Sequence, residues 1–297
     1  MSADDLVSVL IPSYNHEAYV EECVRSIMAQ TYRNIELIVI DDGSKDGTFA
    51  KLQELKPECE KRFSRVVMIR ENHNGIAKNL NTMIDMAKGS YICLIASDDM
   101  LKPQCMEKLH SFLAEHPDYV LAVGDNEIVN SRSERIFWGD YRKVLPESEA
   151  LYKTVGDELR INPDNNNHPD FGGYADLLKG NYIPNGFLVR SSVYEKTGKY
   201  NPDITPEDWH QMLQFAKFGK FMYFPEILCS YRWHEKNTMQ SEDYLSQGAQ
   251  IYRRIYEVEK EYCFTHGYKK QWKKLWSKNF GWRRKWKNFR RRLGLKK

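Results

Sequence analysis

The stretch Val7–Ser44, VSVLIPSYNHEAYVEECVRSIMAQTYRNIELIVIDDGS, contains the pattern of a strand, a helix and a second strand in succession. Val7–Ile11 and Ile35–Ile40 are short apolar runs rich in β-branched residues, which favours strands. Between them, residues 17–30 place apolar side chains at helical spacing on one face. This order predicts two parallel strands joined by a helix.

The same alternation continues through the first 125 residues. It predicts a helix from residue 46 to 62 interrupted at Pro57, then strand Val66–Ile69, helix Ile76–Ala87, strand Tyr91–Ala96, helix Pro103–Glu115 and apolar run Tyr119–Val123. Residues 126–180 have no clean period and are expected to be irregular. From Leu177 onwards the pattern predicts a strand, a short helix, a loop and a helix that begins near Glu207. The predicted fold class is α/β, with a mostly parallel sheet and helices on both faces.

Polar residues follow three of the predicted strands at the point where each strand ends. These are residues 12–15 (PSYN), 41–44 (DDGS) and 97–99 (SDD). In parallel sheets, ligands bind beyond the carboxyl ends of the strands, so we expect the three segments to meet at one edge. Asp98 and Asp99 follow a core strand without a neighbouring cation, and carboxylate oxygens are ligands that Mg²⁺ and Mn²⁺ prefer. A bound divalent cation would explain why two adjacent acids are tolerated there.

Charge is divided unevenly along the chain. Residues 269–297 carry nine Lys and five Arg without an acid, which leaves 30 basic against 41 acidic residues, a net charge of −11, in residues 1–268. On a helix, the apolar residues of this tail fall on one side: Trp272, Leu275, Trp276, Trp282, Trp286, Phe289 and Leu293. Aromatic rings beside cations suit an anionic membrane surface. The tail could instead dock against the acidic body of the protein. Binding of a nucleic acid is a third possibility for a basic, aromatic segment, and we do not expect it.

The cysteines and the N-terminal residues predict the compartment. Six cysteines are scattered without a C-x-x-C pair, which predicts free thiols in a reducing environment. The start of the chain has acids where a signal peptide carries Lys or Arg, and nowhere do about 18 apolar residues follow one another. We therefore expect a cytoplasmic protein that is peripheral at the inner face of the membrane.

Four sequence motifs, taken together in this order, resemble those of the family 2 glycosyltransferases, which have the GT-A fold. They are residues 7–48, residues 72–99 (NHNGIAKNLNTMIDMAKGSYICLIASDD), PEDWHQML and YRWHEKNT. The resemblance covers residues 5–240 and implies a GT-A domain over 1–240, with a nucleotide-binding half (1–125) and an acceptor-binding half (126–240). Residues 241–297 would form a helical, basic, membrane-associating extension.

The resemblance also implies roles for individual residues. Pro12, Tyr14, Asp42, Lys78 and Asp98 would bind the nucleotide sugar; Asp42 is at the position that reads uracil in the family, and Tyr14 offers its ring to the base. The family pattern D-x-D has Ser97 at its first position here, so that Asp98 would face the ribose and Asp99 the metal. His234 resembles a late histidine near the metal or the diphosphate.

Asp208, the second acid of Glu207–Asp208, occupies the position of the family's catalytic base. The implied reaction is one displacement that inverts the sugar carbon, from a UDP-sugar to a hydroxyl of a glycan on a polyprenyl diphosphate or another lipid, in bacterial polysaccharide or glycolipid assembly. The cofactor would be Mn²⁺ or Mg²⁺.

Several of these residues also have a structural alternative. Asp98–Asp99 could cap the following helix, Tyr14 could pack, and His234 or Lys78 could be a surface residue. Glu207 could be the base in place of Asp208. Two rival functions also stay open: a transferase that uses dTDP- or GDP-sugars, and a non-catalytic glycan- or membrane-binding protein on a degenerate transferase fold.

Overall fold

A computed structural model describes residues 5–161, 171–237, 240 and 242–280. These residues contain ten strands: β1 Val7–Ser13, β2 Ile35–Asp41, β3 Arg65–Arg70, β4 Tyr91–Leu94, β5 Met100–Leu101, β6 Tyr119–Val129, β7 Arg135–Trp138, β8 Val144–Leu145, β9 Phe187–Arg190 and β10 Lys220–Arg232. The helices in these residues are α1 Val20–Met28, α2 Thr48–Arg62, α3 Ile76–Met86, α4 Cys105–Glu115, α5 Val155–Ile161, α6 Tyr174–Leu177, α7 Val193–Thr197, α8 Glu207–Phe215, α9 Glu242–Thr265 and α10 Lys269–Phe280.

The main path of the sheet runs in the order β3-β2-β1-β4-β9-β6-β10-β5. β1 pairs in parallel with β2 and β4, β2 with β3, and β6 with β10, whereas β9 runs antiparallel to both β4 and β6. The expectation of a mostly parallel α/β sheet is therefore confirmed. The antiparallel strand β9 joins β4 to β6, and β6 pairs in turn with β10.

The two faces of the sheet are buried under separate layers of helices. Successive side chains of a strand point to opposite faces, and so Val9 of β1 packs in one core with α1, α2 and α4, while Leu10 packs in the other. The second core is covered by α3, α8 and α9. Helices on both faces were predicted from the alternating pattern, and the structure has them.

The prediction of a break at Pro57 is wrong, because α2 continues through this residue. Proline cannot donate the bond that would reach the carbonyl of Gln53. Both residues lie on the exposed side of α2, where water can bond that carbonyl. The opposite side buries Leu52, Leu55 and Cys59, and this packing holds the helix together.

The C-terminal helices pack on the same core as the sheet. Ile255, Tyr256 and Trp272 share a core with Leu10 of β1. Glu259 of α9 is buried. Its carboxylate accepts a hydrogen bond from the Tyr174 hydroxyl at 2.7 Å and forms an ion pair with Lys217 at 2.8 Å. Residues 242–280 are thus continuous with the body, not a separate unit.

The apolar side of α10 faces the protein, which corrects the expectation that all its aromatic residues face a membrane. Trp272 is buried, stacks on Trp276 at 4.9 Å and donates from Nε1 to the Tyr256 carbonyl at 2.8 Å. The lysines of α10 are exposed. The remaining residues of the predicted face, Trp282, Trp286, Phe289 and Leu293, lie outside the described residues. Among the described helices, none combines the length and apolar character needed to cross a bilayer.

Candidate active site

The three polar segments meet at one edge of the sheet. Ser13 and Asp41 are register partners at the ends of β1 and β2. The Asn15 amide donates to Ser44 Oγ at 2.8 Å, which joins the segments after β1 and β2. His16 Nδ1 lies 2.8 Å from Ser97 Oγ, which joins the segments after β1 and β4. The strand-end rule therefore placed these residues correctly.

Tyr14 and Asp42 form one side of this edge. The Tyr14 ring is 37% exposed and lies 4.7 Å from the His73 ring at a tilt of 31°. The buried Asp42 carboxylate accepts from the backbone amides of Asn74 at 2.6 Å and Gly75 at 3.1 Å. Gly75 has φ of 86°, a conformation that glycine adopts without strain. Asp42 thus orders the loop before α3 beside an accessible aromatic ring.

Pro12 and Lys78 lie at the margins of this side. Pro12 is a half-buried residue of β1, in register with Ile40 of β2. Lys78 is an exposed residue in the first turn of α3, just beyond the loop that Asp42 orders. The backbone places both near the predicted donor region, and their roles stay predictions.

Asp98 lies between two histidines. Its Oδ2 is 3.1 Å from His234 Nε2 and 3.9 Å from His16 Nε2. Potential ligand atoms of these three residues all lie within 4.8 Å of one another. Burial raises the pKa of Asp98, but the hydrogen bond from His234 and the charges of the two imidazoles outweigh it and leave that pKa below its usual value. The carboxylate is thus kept ionised.

Asp99 points into the protein and has different partners. Its Oδ1 accepts from the Arg232 amide at 2.9 Å and its Oδ2 from Asn185 Nδ2 at 2.7 Å. Burial, followed by the charge of Asp98, raises the pKa of Asp99 well above its usual value. The residue that meets His234 is therefore Asp98, whereas the sequence favoured Asp99. A D-x-D spacing that ends at Asp98 begins at Ala96, which has no ligand atom.

Arg232 holds this turn in place. Its side chain is fully buried, donates from Nε to the Asp98 carbonyl at 2.8 Å and forms an ion pair with Glu22 of α1. Its guanidinium also lies 4.8 Å from the centre of the Tyr19 ring. Because every contact is internal, Arg232 positions Asp98 and Asp99.

Glu207 and Asp208 begin α8. Asp208 Oδ2 accepts from Asn181 Nδ2 at 2.9 Å, and Oδ1 accepts from the Trp209 amide at 2.6 Å. Asp208 is open to solvent but surrounded by protein atoms, and the desolvation raises its pKa. Burial and the charge of Asp208 raise the pKa of Glu207 to about 7. Both acids are therefore held closer to neutrality than ordinary carboxyls.

One short segment connects the two acidic pairs. Asn181 binds Asp208 and Asn185, four residues later, binds Asp99. Four residues of extended chain span at most about 14 Å. Sequence reasoning missed both amides and His16. His16 carried a signal, since it directly follows the polar segment 12–15 after the first predicted strand, whereas the asparagines lie where no periodic pattern exists.

A mostly parallel sheet with helices on both faces, and a cluster of carboxylates and imidazoles at its strand ends, is the arrangement that the resemblance to the glycosyltransferases implies. The sequence profile described as "Glycosyl transferase family 2" matches residues 8–174. The "Putative teichuronic acid biosynthesis glycosyltransferase TuaG" of Bacillus subtilis is 30% identical over 230 residues, which are 76% of this chain and 79% of that protein. The chain belongs to glycosyl transferase family 2, and it is a glycosyltransferase.

Solved structures have the same fold. S. aureus TarS 1–349 in complex with UDP-GlcNAc aligns with a TM-score of 0.58 at 18% identity, over 84% of this chain and 65% of that one. The mannosyltransferase PcManGT from Pyrobaculum calidifontis, in complex with GDP-Man and Mn²⁺, aligns with a TM-score of 0.59 at 17% identity, over 86% and 64%. The chain thus spans slightly less than two thirds of either structure, and it spans 22% to 79% of curated relatives that it matches.

Proposed function

We propose that this chain transfers a sugar from a UDP-sugar to a hydroxyl of a glycan acceptor, with inversion at the sugar carbon. One arrangement carries the proposal: Asn181 binds Asp208, a carboxylate of raised pKa, and Asn185 binds Asp99, the neighbour in sequence of the ionised, histidine-flanked Asp98. The Asp98 carboxylate is suited to bind a cation that holds a diphosphate, and the Asp208 carboxylate is suited to act as the proton acceptor. A binding protein would have no use for the second group.

The donor nucleotide would lie along Tyr14 and Asp42. The accessible ring of Tyr14 offers a face to a base, and the Asp42 carboxylate retains lone pairs for a base N–H. The TarS structure contains a UDP-sugar on a similar sheet, which supports UDP as the nucleotide. Exposed Lys78 would stay near the phosphates as a mobile cation.

Asp98 and His234 would hold Mn²⁺ or Mg²⁺. The donor set of the site fits such an ion, since an ionised carboxylate and imidazoles face one another within a few ångströms. When bound, the ion neutralises the diphosphate and stabilises the departing nucleotide. Asp99, which the sequence favoured as the ligand, would instead support the turn through Arg232 and Asn185.

Asp208 would accept the proton of the attacking hydroxyl. A base must be reachable by the acceptor, and Asp208 is open to solvent. Its raised pKa brings it closer to the operating pH, where proton transfer is most effective. The hydrogen bond from Asn181 fixes one oxygen and leaves the carboxylate oriented. A single displacement of this kind turns an α-linked donor into a β-linked product.

The acceptor would be a glycan on a polyprenyl diphosphate or another lipid, at the cytoplasmic face of the membrane. The exposed lysines of α10 support this placement, and basic residues contribute about 1 kcal/mol each near an anionic surface. The name of TuaG supports bacterial surface polysaccharide assembly as the setting.

A GDP-sugar is the second candidate donor. The PcManGT structure contains GDP-Man with Mn²⁺ on a similar fold, and a carboxylate such as Asp42 can also accept from a guanine. A panel of UDP-, GDP- and dTDP-sugars, assayed for donor hydrolysis with Mn²⁺, separates the candidates. Release of UDP alone supports the proposal, and release of GDP or dTDP in preference would refute the UDP assignment.

Asp208→Asn and Asp203→Asn form the matched pair for that panel. Asp203 is an exposed acid five residues earlier. Asp208→Asn should lose turnover while Asp203→Asn retains it. Equal turnover by both variants would refute the transferase mechanism drawn from Asp208.

A further inference from the structure

His16 closes a third side of the Asp98 cluster. Its Nε2 lies 3.9 Å from Asp98 Oδ2, too far for a hydrogen bond. Two ligands that are each about 2.1 Å from one ion lie roughly 3 to 4 Å apart. The His234 Nε2 to Asp98 Oδ2 distance of 3.1 Å falls in the same range. Both distances to Asp98 fall in this range, and the ligand atoms of all three residues lie within 4.8 Å of one another, so a small side-chain movement would let them share one ion.

The backbone and the other ring nitrogen hold His16 in this position. Its amide donates to Thr48 Oγ1 at 2.8 Å, and its carbonyl accepts from Val20 at 2.9 Å. Nδ1 lies 2.8 Å from the buried Ser97 hydroxyl. A neutral ring that donates from Nδ1 leaves the lone pair of Nε2 free, on the side of Asp98.

His234 is arranged differently. Its Nδ1 accepts from the Lys236 amide at 3.2 Å, so the proton of the neutral ring is on Nε2, facing Asp98. Binding an ion at Nε2 moves that proton to Nδ1 and gives up the contact with Lys236. His16 is thus the imidazole that meets an ion without rearrangement.

We infer that His16 is a third protein ligand of the divalent cation, beside Asp98 and His234, and that this two-nitrogen site selects Mn²⁺ over Mg²⁺. The inference rests on the proposed function. Mg²⁺ prefers oxygen ligands, whereas imidazoles suit transition ions. Ala96, two residues before Asp98, has no side-chain oxygen, so no second carboxylate at that spacing competes with the two imidazoles.

The test is pulsed electron paramagnetic resonance of Mn²⁺ bound to the full chain with UDP. The ¹⁴N modulation from directly bound imidazole should correspond to two rings in the wild type and one ring in His16→Asn. Asparagine can keep the bond to Ser97 but has no atom at the Nε2 position. His116→Asn, an exposed histidine on the far end of α4, is the control and should match the wild type.

The affinity for Mn²⁺ should fall at least about tenfold in His16→Asn, and tenfold excess Mg²⁺ should fail to displace Mn²⁺ from the wild type. Wild-type Mn²⁺–UDP with one bound imidazole, or modulation unchanged in a folded His16→Asn protein, overturns the inference and leaves the transferase proposal intact. If the wild type binds no Mn²⁺ with UDP, both the cation proposal and this inference fail. The wild-type ring count decides the question even if the variant does not fold.

Discussion

Asp98–Asp99 and Glu207–Asp208 are both pairs of adjacent acids, but they lie in opposite environments. In the first pair the surroundings move the two pKa values apart. The histidines lower the pKa of Asp98, while burial and the charge of Asp98 raise the pKa of Asp99. In the second pair desolvation by the surrounding protein atoms raises the pKa of both acids. Identical side chains thus acquire different chemistry, since one pair presents a fixed charge and the other presents groups ready to take a proton.

The largest effect expected from this contrast is on turnover by Asp208→Asn. Removal of the proposed general base should lower kcat about 10³-fold, because positioned proton transfer contributes on the order of 10² to 10⁴. Glu207→Gln should lower kcat less than about tenfold. A steady-state assay of UDP release with acceptor measures both. The reverse order would assign the base to Glu207, the alternative that the sequence left open.

The next effect separates the members of the first pair. Asp98→Asn should lower kcat about 10²-fold, because the ion loses its charged ligand and its several kcal/mol of charge stabilisation. Asp99→Asn should retain more activity, since an amide can still accept from the Arg232 amide and Asn185 can rotate to match it. Excess Mn²⁺ should partly rescue Asp98→Asn. Greater loss in Asp99→Asn, with unchanged Mn²⁺ affinity in Asp98→Asn, would restore Asp99 as the ligand.

The exposed lysines of α10 should have a smaller effect, on membrane binding alone. Lys273→Gln with Lys274→Gln should weaken binding to vesicles of anionic lipid by about 1 kcal/mol per residue, or roughly fivefold each. Neutral phosphatidylcholine vesicles are the control. Substitution is preferable to a chain that ends at Tyr268, since truncation there also removes the buried Trp272. Unchanged binding to anionic vesicles would exclude a role for these lysines.

The smallest effect is a shift in the pH profile. A base must be deprotonated, so kcat/KM should fall as the pH drops through the raised pKa of Asp208. Asp208 ionises first, since burial and the charge of Asp208 raise the pKa of Glu207 to about 7, and Glu207→Gln should therefore leave this acidic limb in place. Asn181→Ala removes a bond that favours the carboxylate and should move it to higher pH. An acidic limb that moves in Glu207→Gln and stays in place in Asn181→Ala would contradict Asp208 as the titrating group.

The sequence predicted the fold more fully than the site. Strand and helix periods located β1 to β4 and the first part of β6, because each of these elements buries one regular face. The rule that ligands bind at the carboxyl ends of parallel strands then predicted that Tyr14, Asp42 and Asp98 lie at one edge of the sheet. Neighbouring residues of a turn point in different directions, and no period records which of Asp98 and Asp99 meets His234. Asn181 was beyond prediction for a similar reason, since tertiary packing alone brings it to Asp208.

The most direct test of the division between the two pairs is calorimetric titration of Mn²⁺ into the UDP-loaded wild type, Asp98→Asn and Asp208→Asn proteins, with turnover measured on the same samples. Asp208→Asn should bind Mn²⁺ like the wild type and not turn over, whereas Asp98→Asn should lose at least about tenfold in Mn²⁺ affinity. Equal Mn²⁺ affinity in all three proteins, or loss of binding in Asp208→Asn alone, would contradict the assignment of cation and proton to separate carboxylates.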